Sequence, residues 1–134
     1  MTIHIPGPPI PKARPRVVNG HAYTPQRTTD YERTVQWVYK LAARGAQPIS
    51  TPCAVEMVFR FPIPASARRK TMPDKIKAGD PYPHKPDTDN LVKAIMDGLI
   101  GFAFTDDALV VSLTARKEYG DEAGAEVTIR EVGA

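Results

Sequence analysis

Val55, Met57, Phe59 and Phe61 fall on every second position, with Glu56, Val58 and Arg60 between them. A period of two is the repeat of a strand, whose successive side chains face opposite ways. It predicts a strand over about 52–61, stopped at Pro62-Ile63-Pro64 because proline offers no amide hydrogen to a ladder. The apolar run Leu109-Val110-Val111-Ser112-Leu113-Thr114-Ala115 predicts a second strand that continues to Tyr119. Gly120-Asp121-Glu122-Ala123-Gly124 then turns the chain into a return strand, Glu126-Val127-Thr128-Ile129-Arg130. Ile3-His4-Ile5 reads as a short first strand and His21-Ala22-Tyr23 as a short edge strand.

Two segments change to the helical period. Tyr31, Val35, Val38 and Ala42, with Thr34 and Leu41 alongside, predict a helix over about 29–45, capped by Thr28 or Thr29 and stopped at Gly45. Leu91, Ile95 and Leu99, with Val92 and Met96, form one apolar stripe from Asp87 to Leu99; Asp89 is placed to cap it and Gly101 to break it. Residues 66–79 read as a basic helix or helical insertion ending at Gly79. The order β, α, β, (α), α, β, β predicts an α/β or α+β class. The expected architecture is a small mixed sheet packed with two or three helices, in one domain spanning 1–134.

Composition narrows the setting. No apolar run approaches the roughly 18 residues a membrane span requires, and the start lacks the basic and apolar regions of a signal peptide. The single cysteine, Cys53, has no internal disulfide partner and reads as a buried, inert thiol, so the expected location is a reducing cytoplasm. Four-cysteine zinc sites are excluded, and His4, His21 and His84 do not have metal-ligand spacing. The net charge of +3 says little, but its distribution says more. Residues 1–29 carry Lys12, Arg14, Arg16 and Arg27 and no acid, and residues 60–86 carry seven Lys/Arg against Asp74 and Asp80. Residues 87–126 hold nine of the fifteen acids, opposed only by Lys93, Arg116 and Lys117. Segregated fields can be solvated faces, or two surfaces with different tasks.

The densest chemistry lies in Lys85-Pro86-Asp87-Thr88-Asp89-Asn90-Leu91-Val92-Lys93 and in Asp106-Asp107. In an extended chain, i,i+2 spacing turns Asp87 and Asp89 to one side. The helix carries the chain about 18 Å and a loop can bring it back, so Asp107 is expected near the pair. Three carboxylates together repel one another unless a cation is present. Mg²⁺ would relieve that repulsion, activate a water and stabilise charge on a phosphodiester. Lys93 stands one turn beyond Asp89 and could hold a phosphate or leaving oxygen. Plainer readings stay open: Asp89 as a helix cap, Asp89 and Lys93 as a surface pair, Asp106-Asp107 as an ordinary loop, and Asp97 as a salt-bridge partner of Lys93.

At these residues the chain resembles the RusA family of Holliday junction resolvases. Three segments carry the likeness: Ile5-Pro6-Gly7-Pro8-Pro9-Ile10-Pro11-Lys12-Ala13-Arg14-Pro15-Arg16 with Tyr23-Thr24-Pro25, the run from Lys85 to Leu99, and Phe104-Thr105-Asp106-Asp107-Ala108-Leu109-Val110. Their order and spacing match over nearly the whole chain. The resemblance implies a homodimeric endodeoxyribonuclease that resolves four-way DNA junctions by paired nicks, using Mg²⁺ with Mn²⁺ as a substitute. It assigns Asp87, Asp89 and Asp107 to the metal and to catalysis, and Lys93 as the essential lysine; Asp106 is less critical. Residues 66–84 look like an insertion relative to the shortest members.

Lys12, Arg14 and Arg16 are spaced i,i+2 on a stiff proline-rich arm that suits phosphate contacts, which position DNA without reading its sequence. Lys85 and Arg68-Arg69-Lys70 are second candidates for DNA binding. Trp37 and Phe61 read as core, as do Phe102 and Phe104, although the latter two could wedge into a junction. A four-way junction has near two-fold symmetry, which a C2 dimer would match. Two other readings remain: a non-catalytic junction-binding recombination accessory, and a broader branched-DNA or flap nuclease.

Overall fold

The alternating segment becomes the central strand β4 (Cys53–Pro62), and the fold is arranged around it. The computed structural model describes residues 1–14, 16–23, 25–69, 71 and 74–133, with Arg16 and Tyr23 described through their backbones. β4 lies in a four-stranded sheet of order β1-β6-β4-β5, where β1 is Thr2–Pro6, β5 is Val110–Gly120 and β6 is Gly124–Glu131. β4 runs parallel to β5 and antiparallel to β6, and β1 closes the far edge against β6. The expected mixed sheet with helices is therefore what forms. β2 (Arg16–Val18) and β3 (His21–Tyr23) make a separate hairpin, turned by Asn19 and Gly20 at φ 51° and 79°. Positive φ at both central residues suits the right-handed twist of a tight hairpin.

One face of the sheet is buried. Cys53, Val55, Met57, Phe59 and Phe61 project from β4 into the core beside Ile3 and Ile5 of β1 and Ala125, Val127 and Ile129 of β6. Two helices cover them: α1 (Gln26–Ala43) through Tyr31, Val35 and Tyr39, and α3 (Thr88–Leu99) through Leu91, Ala94, Ile95 and Leu99. Each large side chain removed from water here contributes about 1.5–3 kcal/mol. The helices cross closely at Gly98, where a Cβ would lie 2.9 Å from Val35 Cβ and 3.2 Å from the Glu32 carbonyl oxygen.

Several expectations are corrected. The return strand does not pair with β5. It crosses the end of β4 at residues 121–123 and joins β4 on the other side, so β4 separates two strands that are neighbours in sequence. Gly120 permits this crossing, since a Cβ there would meet the Arg60 side chain at 3.2 Å. α1 begins at Gln26, after Pro25, with no side-chain cap. The Thr28 hydroxyl is buried and accepts the Ala13 amide at 3.2 Å, pinning the arm instead of capping the helix. The buried stripe is Thr28, Tyr31, Val35 and Tyr39, so Trp37 and Leu41 turn outward and are each 64% exposed. Trp37 is thus not core, whereas Phe61 and Phe104 are buried and Phe102 is half-buried.

Of the basic insertion, only α2 (Ala65–Arg68) is helical among the described residues. No helix among the described residues is long and apolar enough to cross a membrane.

Candidate active site

The candidate carboxylates are positioned by the connection from β4 to α3. Residues 79–82 return to the outer edge of β5: the Gly79 amide donates to the Tyr119 carbonyl at 2.8 Å, the Tyr119 amide to Asp80 at 2.8 Å, and the Tyr82 amide to Lys117 at 3.1 Å. The Tyr82 ring stacks on Phe61 with centroids 4.0 Å apart and meets Tyr119 edge-on at 5.1 Å. The Lys117 ammonium then donates to the carbonyls of His84 at 2.7 Å and Pro86 at 2.8 Å. This clamp fixes the chain immediately before Asp87, which becomes the residue preceding α3. Asp87, not Asp89, therefore occupies the cap position, with an extended backbone and no side-chain cap bond.

Lys85 Nζ donates to Asp87 Oδ1 at 2.8 Å. That hydrogen bond, followed by the lysine's charge and a smaller effect of Lys117, holds the Asp87 carboxyl below its ordinary range. Lys85 is raised in return, chiefly by its bond to Asp87 and in small part by the charge of Asp89. Asp89 lies in the first turn of α3, where a negative charge is favoured by the helix dipole. Lys93 follows one turn later and is exposed. Neither Asp89 nor Lys93 has an ion-pair or side-chain hydrogen-bond partner among the described residues.

Asp107 does not stand beside this pair within one chain. Thr105 and Ala103 are tied to Ile49, which precedes β4, and the 3-10 turn Asp107–Leu109 leads into Val110, the register partner of Cys53. Lys117, which holds the Asp87 loop, is the partner of Phe59, seven strand residues later. At about 3.3 Å per residue that is about 23 Å of strand. The expected return of the chain does occur, but β5 itself is the return, and Asp107 comes before it. Accordingly, no three His, Cys, Asp or Glu side chains among the described residues converge to hold a metal ion. Asp87 and Asp89 therefore stand at the mouth of α3 apart from Asp107, which opens the turn before β5.

Asp106 accepts the Ala108 amide at 3.0 Å, and that bond leads the causes that keep its carboxyl low. Asp107 is pushed above its ordinary range, first by its hydrogen bond with Asp106 and then by desolvation and the neighbouring charge.

The basic candidates divide. Lys12 is half-buried, bound to Glu32 at 2.6 Å and Asp97 at 3.1 Å, while its amide donates to Asn90 at 2.9 Å. Burial opposes its charge, and the hydrogen bonds and charges of Glu32 and Asp97 outweigh that effect and raise its pKa. Asp97 is thus a salt-bridge partner, of Lys12 and not of Lys93. Arg14 is exposed and lines a groove of about 500 Å³ with Arg27 and Thr28. Arg68 pairs with Asp121 at 3.0 Å, and Arg69 is exposed. The Arg16 side chain and Lys70 lie outside the described residues.

Lys117 and Tyr82 escaped the sequence reading. Lys117 carried a signal, because it shares strand parity with Leu113, Ala115 and Tyr119 and so points a cation toward the helix side of the sheet. Two comparisons bear on this site. The family model described as endodeoxyribonuclease RusA matches residues 6–130. The chain is also 34% identical to the uncharacterized protein YqaN of Bacillus subtilis (strain 168), over 96% of this chain and 94% of that one.

Proposed function

The chain belongs to the RusA family of endodeoxyribonucleases, and from that premise we propose that it cuts four-way DNA junctions by paired nicks, as a homodimer, in DNA recombination and repair. The observation carrying the proposal is the mouth of α3. Asp87 and Asp89 flank its first residue, and Lys93 stands one turn beyond without an ion-pair partner among the described residues. Mg²⁺, or Mn²⁺ in its place, is the group two such carboxylates would serve, and when bound it supplies an activated water and neutralises phosphate charge. Lys93 would bind the phosphate, and the clamp of Lys117 on the preceding loop would keep the carboxylates in register with it. Arg14, Arg27 and Arg69, all exposed, are the proposed backbone contacts for DNA. Lys12 would act one step back, by holding the arm against α3.

The test is nicking of a synthetic four-way junction, a flap, a duplex and a single strand, with Mg²⁺ and with EDTA. The junction is expected to be cut with Mg²⁺ only, and flap cutting at an equal rate would favour a broader branched-DNA nuclease. Asp89→Asn is expected to lower nicking by about a hundredfold or more, equivalent to about 2.7 kcal/mol of transition-state stabilisation, while junction binding persists. Binding by the wild type without any Mg²⁺-dependent nick would favour an accessory binding protein and refute the enzyme.

A further inference from the structure

The outward face of α1 carries the chain's one tryptophan. Trp37 stands opposite the buried stripe of that helix and is largely exposed, as is Leu41 one turn on. Cations surround the indole on the same face. Arg33 lies one turn before it, Lys40 one turn after, and Arg44 two turns after at the C-cap; all three are exposed. None of them has an ion-pair partner among the described residues. Asp30, the acid on this face, lies nearly two turns before Trp37 and accepts from Gln26 at 2.6 Å. No Asp or Glu occurs from Arg33 to Val55 or from Gly98 to Thr105, the two segments that meet where Ile49 bonds to Ala103 and Thr105. The Lys40 ammonium also lies 4.7 Å from the centre of the Phe102 ring. Lys40 and Phe102 line a groove of about 380 Å³ beside Tyr39 and Pro48. Lys40 and Arg44 gain from the negative end of the helix dipole, but that accounts for neither Arg33 nor the exposed indole.

An indole among unpaired cations fits a partner that offers flat rings and negative charge together. Two apolar side chains are far too little for a stable protein interface, which takes about 800 Å² from each partner. They are also too few for a helix lying in a membrane surface, which buries a whole apolar face. A nucleic-acid strand meets both requirements. Each base has a face that stacks on an aromatic ring, and each phosphate brings a charge to a flanking cation. Within a duplex the bases are stacked on one another, so a duplex can satisfy the cations but not the indole. We propose that Trp37, with Arg33, Lys40 and Arg44, is a stacking platform for a base left unstacked at the branch point of DNA. The choice of DNA as the polymer rests on the nuclease reading above. Arg33 and Arg44 are about 16 Å apart along the axis of α1, so the platform holds a short tract of strand. The Phe102 groove continues it toward the loop that carries Asp106 and Asp107.

Because Trp37 is the only tryptophan, indole fluorescence reports on this face alone. The wild type is titrated in EDTA with a synthetic four-way junction, a single-stranded oligonucleotide and a linear duplex, each dye-labelled so that anisotropy follows binding separately. The junction and the single strand are expected to quench Trp37 and shield it from acrylamide, and the duplex to bind without doing so. Trp37→Ala is expected to weaken junction and single-strand binding about tenfold, with Trp37→Phe keeping most of it and circular dichroism unchanged in both. Arg33→Gln with Arg44→Gln should lower the slope of log affinity against log salt for the single strand by about 1.4. A saturated junction that leaves Trp37 emission and acrylamide access unchanged, or a Trp37→Ala protein that binds as tightly as the wild type, would overturn the proposal. So would quenching by phosphatidylserine vesicles but not by DNA, which assigns the face to a membrane. A blue shift with rising protein concentration alone would assign it to a second chain and overturn the proposal equally. Nicking with Mg²⁺ is scored on the same protein. Nicking with a silent Trp37 removes the platform and keeps the nuclease, whereas a quenched Trp37 without nicking keeps the platform and removes the nuclease.

Discussion

Lys117 directs its ammonium at two main-chain carbonyls, not at a carboxylate. It thereby fixes the backbone before Asp87 without itself occupying either acid of the α3 mouth, where Asp87 is met by Lys85 and Asp89 has no ion-pair partner among the described residues. A charged donor on neutral acceptors contributes about 1.5–3 kcal/mol per bond when partly buried. Lys117→Ala is expected to lower nicking and Mn²⁺ affinity by about tenfold or more, with junction affinity in EDTA unchanged. Lys117→Arg should recover part of both, because a guanidinium can still reach the two oxygens. A loss of junction affinity equal to the loss of rate would reduce Lys117 to general support. Lys12 shows the same logic from the other direction. Its sequence neighbours suggested a phosphate contact, but Glu32 and Asp97 meet it from two different helices. Residue types were legible in the sequence at both positions, whereas their partners were set by packing between distant segments.

At the scale of elements, the period-two run from Val55 to Phe61 was read almost to the residue, because a fully buried face leaves one register. The first helix was displaced: Pro25 starts it early, and its buried face settled on Thr28, Tyr31, Val35 and Tyr39. Two overlapping stripes competed in that sequence, and the close approach of α3 decided between them. Gly98 is where the decision is felt, since any side chain there meets Val35 and the α1 backbone. Gly98→Ala gains helix propensity of under about 1 kcal/mol and loses more by overpacking, about 1–3 kcal/mol. The expected net result is a lower urea midpoint at unchanged m-value. A higher midpoint would mean that the helices can separate without cost.

For the whole molecule, the list of elements could be read along the chain, but their neighbours could not. Nothing local distinguishes a β6 that pairs with β5 from one that crosses β4, because both need only a short turn and an alternating strand. That difference moves β5 to the edge of the sheet and so governs what a partner can reach. The same holds for Asp107. Its chemistry was visible, and its distance from Asp87 followed only from the parallel register of β4 and β5.

Cys53 sits at the start of that register, between Val110 of β5 and Glu131 of β6, with no exposed surface. Burial, and secondarily the charge of Glu131, pushes its thiol pKa up, and the chain has no other cysteine. A thiol reagent can therefore react only when the end of the sheet around Cys53 opens, and the labelling rate becomes a clock for that opening. Each tenfold slowing relative to a free thiol corresponds to about 1.4 kcal/mol of opening free energy. Labelling is expected to slow as protein concentration rises if a second chain seats along β5, and to be concentration-independent if β5 stays bare. The native protein thus carries its own reporter of sheet opening, with no probe to be engineered.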